Sequence, residues 1–386
     1  MKGEYSVIFI TPEFAAARHD MLRDMAAKVR MAAIAVDESH CVSEWGHDFR
    51  PDYRRLAELR SVLPGVPMVA LTATATPRVK KEIMENLQLL RPVCVETTFN
   101  RPNLHFAVVA KTSVDQDMKE VARVAGKDSC IVYCLTRSAA EQCASALKRY
   151  GVSAGAYHGG LPDDVRRHVH QQFVNDRVQC VAATIAFGMG IDKPDIRLVV
   201  HHGLTKSMEA YQQHCGRAAR DNAPGRCIMF SSPSDVSNLI GIDDSTGTHA
   251  MAVMEMLKHM KNYTQLTTCR RKALLEYFGE TLTTPCTGCD NCDKAAAAGT
   301  GGPSTLQDFT EYFRLMATCV LEVSPAAFHY GLNMYVDVLR GSQKSKVMDK
   351  LKHRLKDIKS YGKGNTKSEK WWKAIGNFML STGYLE

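Results

Sequence analysis

The chain has 386 residues, 45% of them apolar and 23% charged, with a formal net charge of +8, the composition of an ordinary soluble protein long enough for two to four domains. It holds no stretch of eighteen apolar residues, and its opening, MKGEYSVIFITPEF, lacks the basic region, apolar run and small-residue cleavage site of a signal peptide. The expectation is a soluble intracellular protein without a membrane span, in which most of the thirteen cysteines are reduced core thiols.

From Met1 to about Val95 the pattern is α/β. Three apolar runs, SVIFI, AAIAV and MVALTA, read as parallel strands covered on both faces, because small and β-branched residues recur without alternation. A connector, ETTFNRPNLHF, leads into a second domain of the same rhythm over residues 96 to 240, with strand-like runs at CIVYC, SAGAYH, VQCVAA, IRLVVHH and RCIMF. Residues 241 to 300 read as a helical module that contains a cysteine cluster and ends in a flexible linker, AAAAGTGGPS. Residues 301 to 386 look mainly helical and strongly basic.

Several constellations carry chemistry. Asp37 and Glu38 close an apolar strand, where functional groups of parallel sheets gather. One acid of such a pair can hold Mg²⁺ through its waters while the other orients or deprotonates an attacking water, and His40 can relay the state of a nucleotide. A solvated acidic turn is the other reading of the same residues. In Gly188-Met189-Gly190-Ile191-Asp192-Lys193 the glycines permit a tight turn whose amides approach a phosphate. Trp45 and Phe49 can stack on unpaired bases while Arg50 takes a phosphate or pairs with an acid; interior placement of the two rings is the alternative. Cys269, Cys286, Cys289 and Cys292 form C-x16-C-x2-C-x2-C, four thiolates able to close a tetrahedral structural Zn²⁺ site, with disulfides the weaker option. Between Arg340 and Lys373, ten lysines and two arginines stand against Asp349, Asp357 and Glu369, interleaved with Tyr361, Trp371 and Trp372. That block suits a phosphate-facing surface or a solvated charged face.

The segments CVSEWGHDFRPDYRRL (from Cys41), LTATATP (from Leu71), YCLTR (from Tyr133), AYHGGL (from Ala156), ATIAFGMGIDKPDIR (from Ala183) and QQHCGRAARD (from Gln212) resemble, in order, the motifs of RecQ-type superfamily 2 DNA helicases. CRRKALLEYFGE at Cys269 resembles that family's zinc module, and the tail from about Leu306 resembles its winged-helix domain. The resemblance covers most of the chain. It implies two RecA-like parallel-sheet domains, the first of them incomplete, then a helical zinc-binding module and a partial winged-helix domain. It implies ATP and Mg²⁺ in the cleft between the two lobes, with Asp37 and Glu38 as the metal-associated and water-activating acids. Gln213, Arg217 and Arg220 would then reach in from the second lobe, Arg220 as the arginine finger, alongside Gly190 and Asp192. Thr72 and Thr74 resemble the motif that links hydrolysis to domain closure. Trp45, Phe49, Arg50, Arg137, His158 and Thr184 fall in motifs that contact or report on DNA. Lys370 and Lys373, on a presumed recognition helix from Ser368 to Thr382, would face duplex backbone.

The sequence departs from the pattern at several points. It contains no G-x-x-x-x-G-K-[ST] phosphate-binding loop, and it opens near Thr11-Pro12-Glu13, which resembles a motif the family places downstream of that loop. The first lobe is therefore expected to show unpaired backbone and uncovered apolar faces, and to be poorly stable alone. Ser39 replaces a commoner alanine, a tolerable change, and Ala219 stands where the arginine motif usually has glycine, adding a methyl near Arg220. The chain stops at Glu386, where the winged domain's β-hairpin is expected to begin. The resemblance implies an ATP-dependent 3′ to 5′ DNA helicase acting on single strands and duplex junctions in DNA repair and recombination, nuclear in a eukaryote and otherwise in the cytoplasm or nucleoid. This chain alone is not expected to turn ATP over. A catalytically silent DNA-binding scaffold is the alternative, and an RNA helicase a third, disfavoured by the cysteine cluster and the aromatic-rich loop.

Overall fold

The computed structural model describes residues 5–46, 48–185, 187, 191–241, 247–297, 299, 308–324, 330–343, 349, 351, 353–381 and 384–385. His47, Gly188, Met189, Gly190 and Thr382 lie outside them. The chain forms two compact units, 1–304 and 305–386.

The first unit begins with helices α1 (Pro12–Ala17) and α2 (His19–Lys28). Thr11 caps α1, its Oγ1 accepting from Phe14 N at 3.2 Å, and Pro12 takes the first helical position, where a missing N–H is harmless. Strand β1 (Ile34–Val36), the short helices α3 (Pro51–Arg55) and α4 (Leu59–Val62), strand β2 (Met68–Ala70) and helix α5 (Pro77–Asn86) complete a first lobe. β1 and β2 pair in parallel, Ile34 opposite Met68 and Val36 opposite Ala70. Leu22, Val36, Leu56, Val79 and Ile83 bury one small core beneath this sheet. The other side is open: Val69 is 44% and Leu71 48% exposed. The run SVIFI, expected as a strand, is irregular backbone with Phe9 94% exposed. A strand needs a neighbour for its amides and carbonyls, and among the described residues these five have none.

The second lobe alternates β3 (Leu104–Ala110), α6 (Val114–Ala125), β4 (Ser129–Cys134), α7 (Arg137–Arg149), β5 (Ala154–Tyr157), α8 (Asp163–Val174), β6 (Cys180–Ala183), β7 (Ile196–His202), α9 (Met208–Cys215), β8 (Gly225–Ser231) and α10 (Asp235–Ile240). The sheet has six strands in the order β3-β8-β7-β4-β6-β5, all parallel. Hydroxyl caps start its helices: Ser113, Thr136 and Ser207 each accept from the amide three residues on. Separate cores cover the two faces, one built on Ile131, Val199 and Met229, the other on Val132, Leu147 and Val200. The five expected runs all contain strands. The segment read as a connector is corrected at its end, because its last three residues open the edge strand β3.

Helices α11 (Gly247–Gln265), α12 (Arg270–Tyr277) and α13 (Asp290–Ala297) form the cysteine-bearing module. It continues the core of the second lobe, since Met260, Tyr263, Leu274, Phe278 and Cys289 pack in the same cluster as Leu104 and Tyr211. Its loop also covers the sheet edge: Phe106 N donates to Gly288 O at 3.0 Å, and Phe106 bridges Cys289.

The second unit contains α14 (Thr310–Val323), α15 (Leu332–Leu339) and a last helix, Glu369–Ser381. Trp372 is fully buried among Met316, Val336 and Leu339, and its Nε1 donates to Gly364 O at 2.7 Å. Trp371 is half-buried against Tyr312, with Lys367 Nζ 5.2 Å from its ring centroid. The two Trp residues of the basic block are therefore a core residue and its rim. Lys370 is exposed, and Lys373 pairs with Glu369 at 2.6 Å.

Candidate active site and metal centre

The acids stand at the carboxyl end of β1 and gain their geometry from a reversal of the chain. Glu38 is left-handed, φ 48° and ψ 41°, a conformation that costs a non-glycine residue roughly 1–2 kcal/mol. Local hydrogen bonds offset it: Asp37 Oδ1 accepts from Glu38 N at 2.8 Å, and Ser39 N donates to Leu71 O at 2.9 Å. Asp37 is left exposed, while Glu38 turns inward, half-buried. Burial raises the Glu38 pKa, helped by the charges of Asp37 and Asp48, while Arg217 and Arg50 pull it down. A carboxylate made more basic in this way suits a water-activating role.

His40 Nδ1 lies 3.3 Å from Glu38 Oε2 and 3.0 Å from Thr72 Oγ1. Burial pushes its pKa down to about 4, so the ring is neutral near pH 7. Thr72 Oγ1 also accepts from Thr74 N at 3.3 Å, so the two expected coupling threonines sit in one turn beside the acid.

The facing wall comes from α9 and the turn after it. Gln213 Nε2 donates to Glu38 Oε1 at 3.5 Å, bridging the two lobes. Arg217 is buried, and its Nε has no hydrogen-bond partner among the described residues, a donor held in a low-dielectric wall. Arg220 is turned to its own lobe, donating to Ile191 O at 3.2 Å and Asp192 Oδ1 at 3.3 Å. A cavity of about 830 Å³ runs between the lobes, lined by Glu38, Thr72, Thr74, Asp192, Gln213, Arg217, Arg220 and residues 92–99 of the connecting segment. Asp37 does not line it. The expected contribution of Gly190 lies outside the described residues.

Arg137, His158 and Thr184 follow β4, β5 and β6 and so gather at the carboxyl edge of the second sheet. Arg137 is exposed and lies against Gly160, where a Cβ would come within 3.0 Å of its guanidinium. His158 is buried, 3.1 Å from Glu141 Oε1, and Thr184 N donates to Tyr157 O at 3.2 Å. In the aromatic-rich loop, Trp45 packs against the cores of both lobes. The Arg78 guanidinium carbon is 3.3 Å from its ring centroid, and Arg54 lies 5.0 Å over Phe49. Each aromatic thus has one face covered. Arg50 pairs with Asp48 at 2.7 Å, the acid-pairing option. Arg78 was invisible in the sequence, because nothing in its local pattern marks a residue that stacks thirty-odd positions away.

The sulfurs of Cys269, Cys286, Cys289 and Cys292 lie within 4.8 Å of one another. Zinc–sulfur bonds of about 2.3 Å in a tetrahedron need sulfur separations of about 3.8 Å, so the set fits one Zn²⁺ with no position left for substrate. Backbone amides already point at three sulfurs, Lys272 N at Cys269, Gly288 N at Cys286 and Cys292 N at Cys289. The adjacent arginines, quoted in the motif without roles, hold the module. Arg270 bonds Asp290 at 2.5 and 3.2 Å and Tyr263 O at 2.8 Å, while Arg271 donates to Arg101 O at 2.6 Å and to Leu104 O.

Comparison with known proteins matches residues 114–222 to the helicase conserved C-terminal domain, 233–293 to the RecQ zinc-binding domain and 303–386 to the RQC domain. The chain is 35% identical over 407 residues to the mouse "Bifunctional 3'-5' exonuclease/ATP-dependent helicase WRN", covering 99% of this chain and 28% of that protein. It is 34% identical over 389 residues to the "ATP-dependent DNA helicase RecQ" of Pasteurella multocida, covering all of this chain and 59% of that one. A "Putative ATP-dependent RNA helicase" of Acanthamoeba polyphaga mimivirus is also 34% identical, again over the whole chain and 70% of its own length. The chain thus spans between about a quarter and seven tenths of these relatives. The cysteine centre is the structural zinc site of the matched zinc-binding domain. No helix among the described residues is long and apolar enough to cross a membrane. The domain order, the four-cysteine centre and these likenesses over the whole of this chain place it in the RecQ family of superfamily 2 helicases.

Proposed function

We propose that the chain is the larger part of an ATP-driven DNA helicase motor that moves 3′ to 5′ along single-stranded DNA, opens duplexes at junctions, and serves repair and recombination, in the nucleus of a eukaryote. The observation that carries this reading is the contact of Glu38 with Gln213 across the cavity, with Arg217 lining the same space. ATP and Mg²⁺ would occupy that space. Glu38 would activate the attacking water from the cavity wall, and Asp37, next to the lining residues, would hold the ion through its waters, while Arg217 and Arg220 would stabilise charge on the transferred phosphoryl group. Arg220 must first leave Asp192, so nucleotide binding would draw the second lobe over the first, and release would let it reopen. Residues 1–95 and 96–240 would act as the two motor lobes, 241–300 as the zinc-stabilised brace, and 301–386 as the duplex-binding module through Lys370 and Lys373.

The second reading, a silent DNA-binding scaffold, is favoured by one feature, the lack of a G-x-x-x-x-G-K-[ST] sequence in these 386 residues. DNA-stimulated ATP hydrolysis separates the two. The 386-residue chain should give no turnover, and a longer protein in which a phosphate-binding loop is joined ahead of it should turn over robustly. Arg217→Ala in the longer protein should then lower kcat by about 10³-fold or more. An inactive longer protein would leave the scaffold as the function.

A further inference from the structure

The helix that carries Gln213 is gripped at its other end by the zinc module. We propose that Tyr277 is a positioning residue through which the zinc centre sets α9, and with it the reach of Gln213 and Arg217 into the cavity; the inference rests on the nucleotide-site reading above. Glu209, in the first turn of α9, is 2% exposed, and its Oε1 accepts from the Tyr277 hydroxyl at 2.8 Å. Glu209 and Gln213 are four residues apart and share one helix face, so a displacement at Glu209 is carried to Gln213 by the helix itself.

Tyr277 is the last residue of α12, and the N-cap of α12 is Cys269, whose sulfur accepts from Lys272 N at 3.4 Å. One eight-residue helix therefore has a zinc ligand at its start and the Glu209 donor at its end, about 12 Å away. A second line of contact leaves the same end. Phe278 stacks on Phe99 with centroids 4.4 Å apart, and Phe99 O accepts from Gln212 Nε2 at 3.1 Å. Glu280 fixes that connector from below, accepting from Phe99 N at 2.7 Å and from the Thr98 hydroxyl at 2.9 Å. A carboxyl group this deeply buried depends on its donors, and removing the hydroxyl withdraws a hydrogen bond that water cannot replace.

Amide hydrogen exchange on the zinc-loaded 386-residue chain tests this directly. Tyr277→Phe keeps the ring and loses the hydroxyl. It should accelerate exchange over residues 208–217 roughly tenfold, with β4 unchanged and one zinc retained. Glu209→Gln retains an acceptor and should stay within about twofold of the parent, whereas Glu209→Ala should behave like Tyr277→Phe. Chelating zinc should accelerate the same residues in the parent and add less in Tyr277→Phe, where only the contact through Phe278 and Phe99 is left to lose. Unchanged exchange over 208–217 in Tyr277→Phe, equal acceleration in β4, or a full additional effect of chelation would overturn the proposal. The readout needs no ATP, so an absence of ATP turnover in the longer protein would count against the nucleotide-site reading while leaving this coupling to stand or fall by itself.

Discussion

The two parallel sheets of the first unit are composed of similar residues and meet opposite fates. In the second lobe, β4 and β7 lie between two helical layers, and Ile131, Val132, Val199 and Val200 are all fully buried. In the first lobe, β1 and β2 form a two-stranded sheet with one covered side, and Val69 and Leu71 are exposed. The contrast teaches that burial of a parallel strand belongs to the layers around it and not to its own composition. Apolar strand sequence is a demand for cover, which the second lobe meets and the first meets by half.

The zinc module is part of that cover, so removing it is the harshest way to make the second lobe resemble the first. Cys289→Ala should lower bound zinc from one per chain to none by metal analysis, and should destabilise the module by up to about 10 kcal/mol, since structural zinc contributes on that scale. Exchange along β3 should rise with it; a β3 as protected as in the parent would break the link between zinc and the sheet edge. A milder comparison sets one core residue against one exposed residue. Ile131→Ala should cost about 2–5 kcal/mol in urea unfolding and Val69→Ala less than about 1 kcal/mol, and similar costs would mean the first sheet is covered after all.

The smallest effect concerns acid. Burial holds His40 down at about 4, below the ordinary 6.5, so its contribution is present above pH 6.5 and is lost as pH falls towards 4, where the unfolded chain takes up a proton that the folded one refuses. The loss amounts to at most about 3 kcal/mol. His201 in the second lobe is pushed to about 3 for the same reason. Followed by exchange in β1 and β2 between pH 7 and 4, His40→Asn should flatten the acid slope of the first lobe alone. A slope unaltered by the variant would assign the acid sensitivity to other groups.

Much of this architecture was legible from residue patterns, for identifiable reasons. The runs of the second lobe are long, β-branched and bounded by polar turns, and each contains a strand. The four cysteines are legible because metal geometry restricts spacing. Strand β3 was hidden because it starts directly after Arg-Pro-Asn and, at the sheet edge, is buried only in alternation at its start and exposed at its end. The run 6–10 failed for the complementary reason, since a strand requires a neighbour that its own residues cannot reveal. At the candidate site, the acids and arginines could be named from motif order. The Glu38–Gln213 contact joins positions 175 apart, and the inward turn of Arg220 depends on Asp192 across a folded loop. Such facts arise only when the lobes are assembled.

Ala219 illustrates how one methyl can constrain the future of a sequence. It is fully buried with φ 48°, a setting glycine would occupy without strain, and its carbonyl is held by Arg101 Nη2 at 2.7 Å and Asn103 Nδ2 at 3.1 Å. Its methyl points to Gly225, where any added Cβ would come within 2.9 Å of it. The extra carbon is thus lodged against β8, while Arg220 bonds Ile191 O and Asp192 Oδ1. The two sites are therefore linked: with alanine at 219, a side chain at 225 would force a neighbour to move, and Leu104 Cδ2, 3.0 Å from the same added Cβ, crowds the position as well.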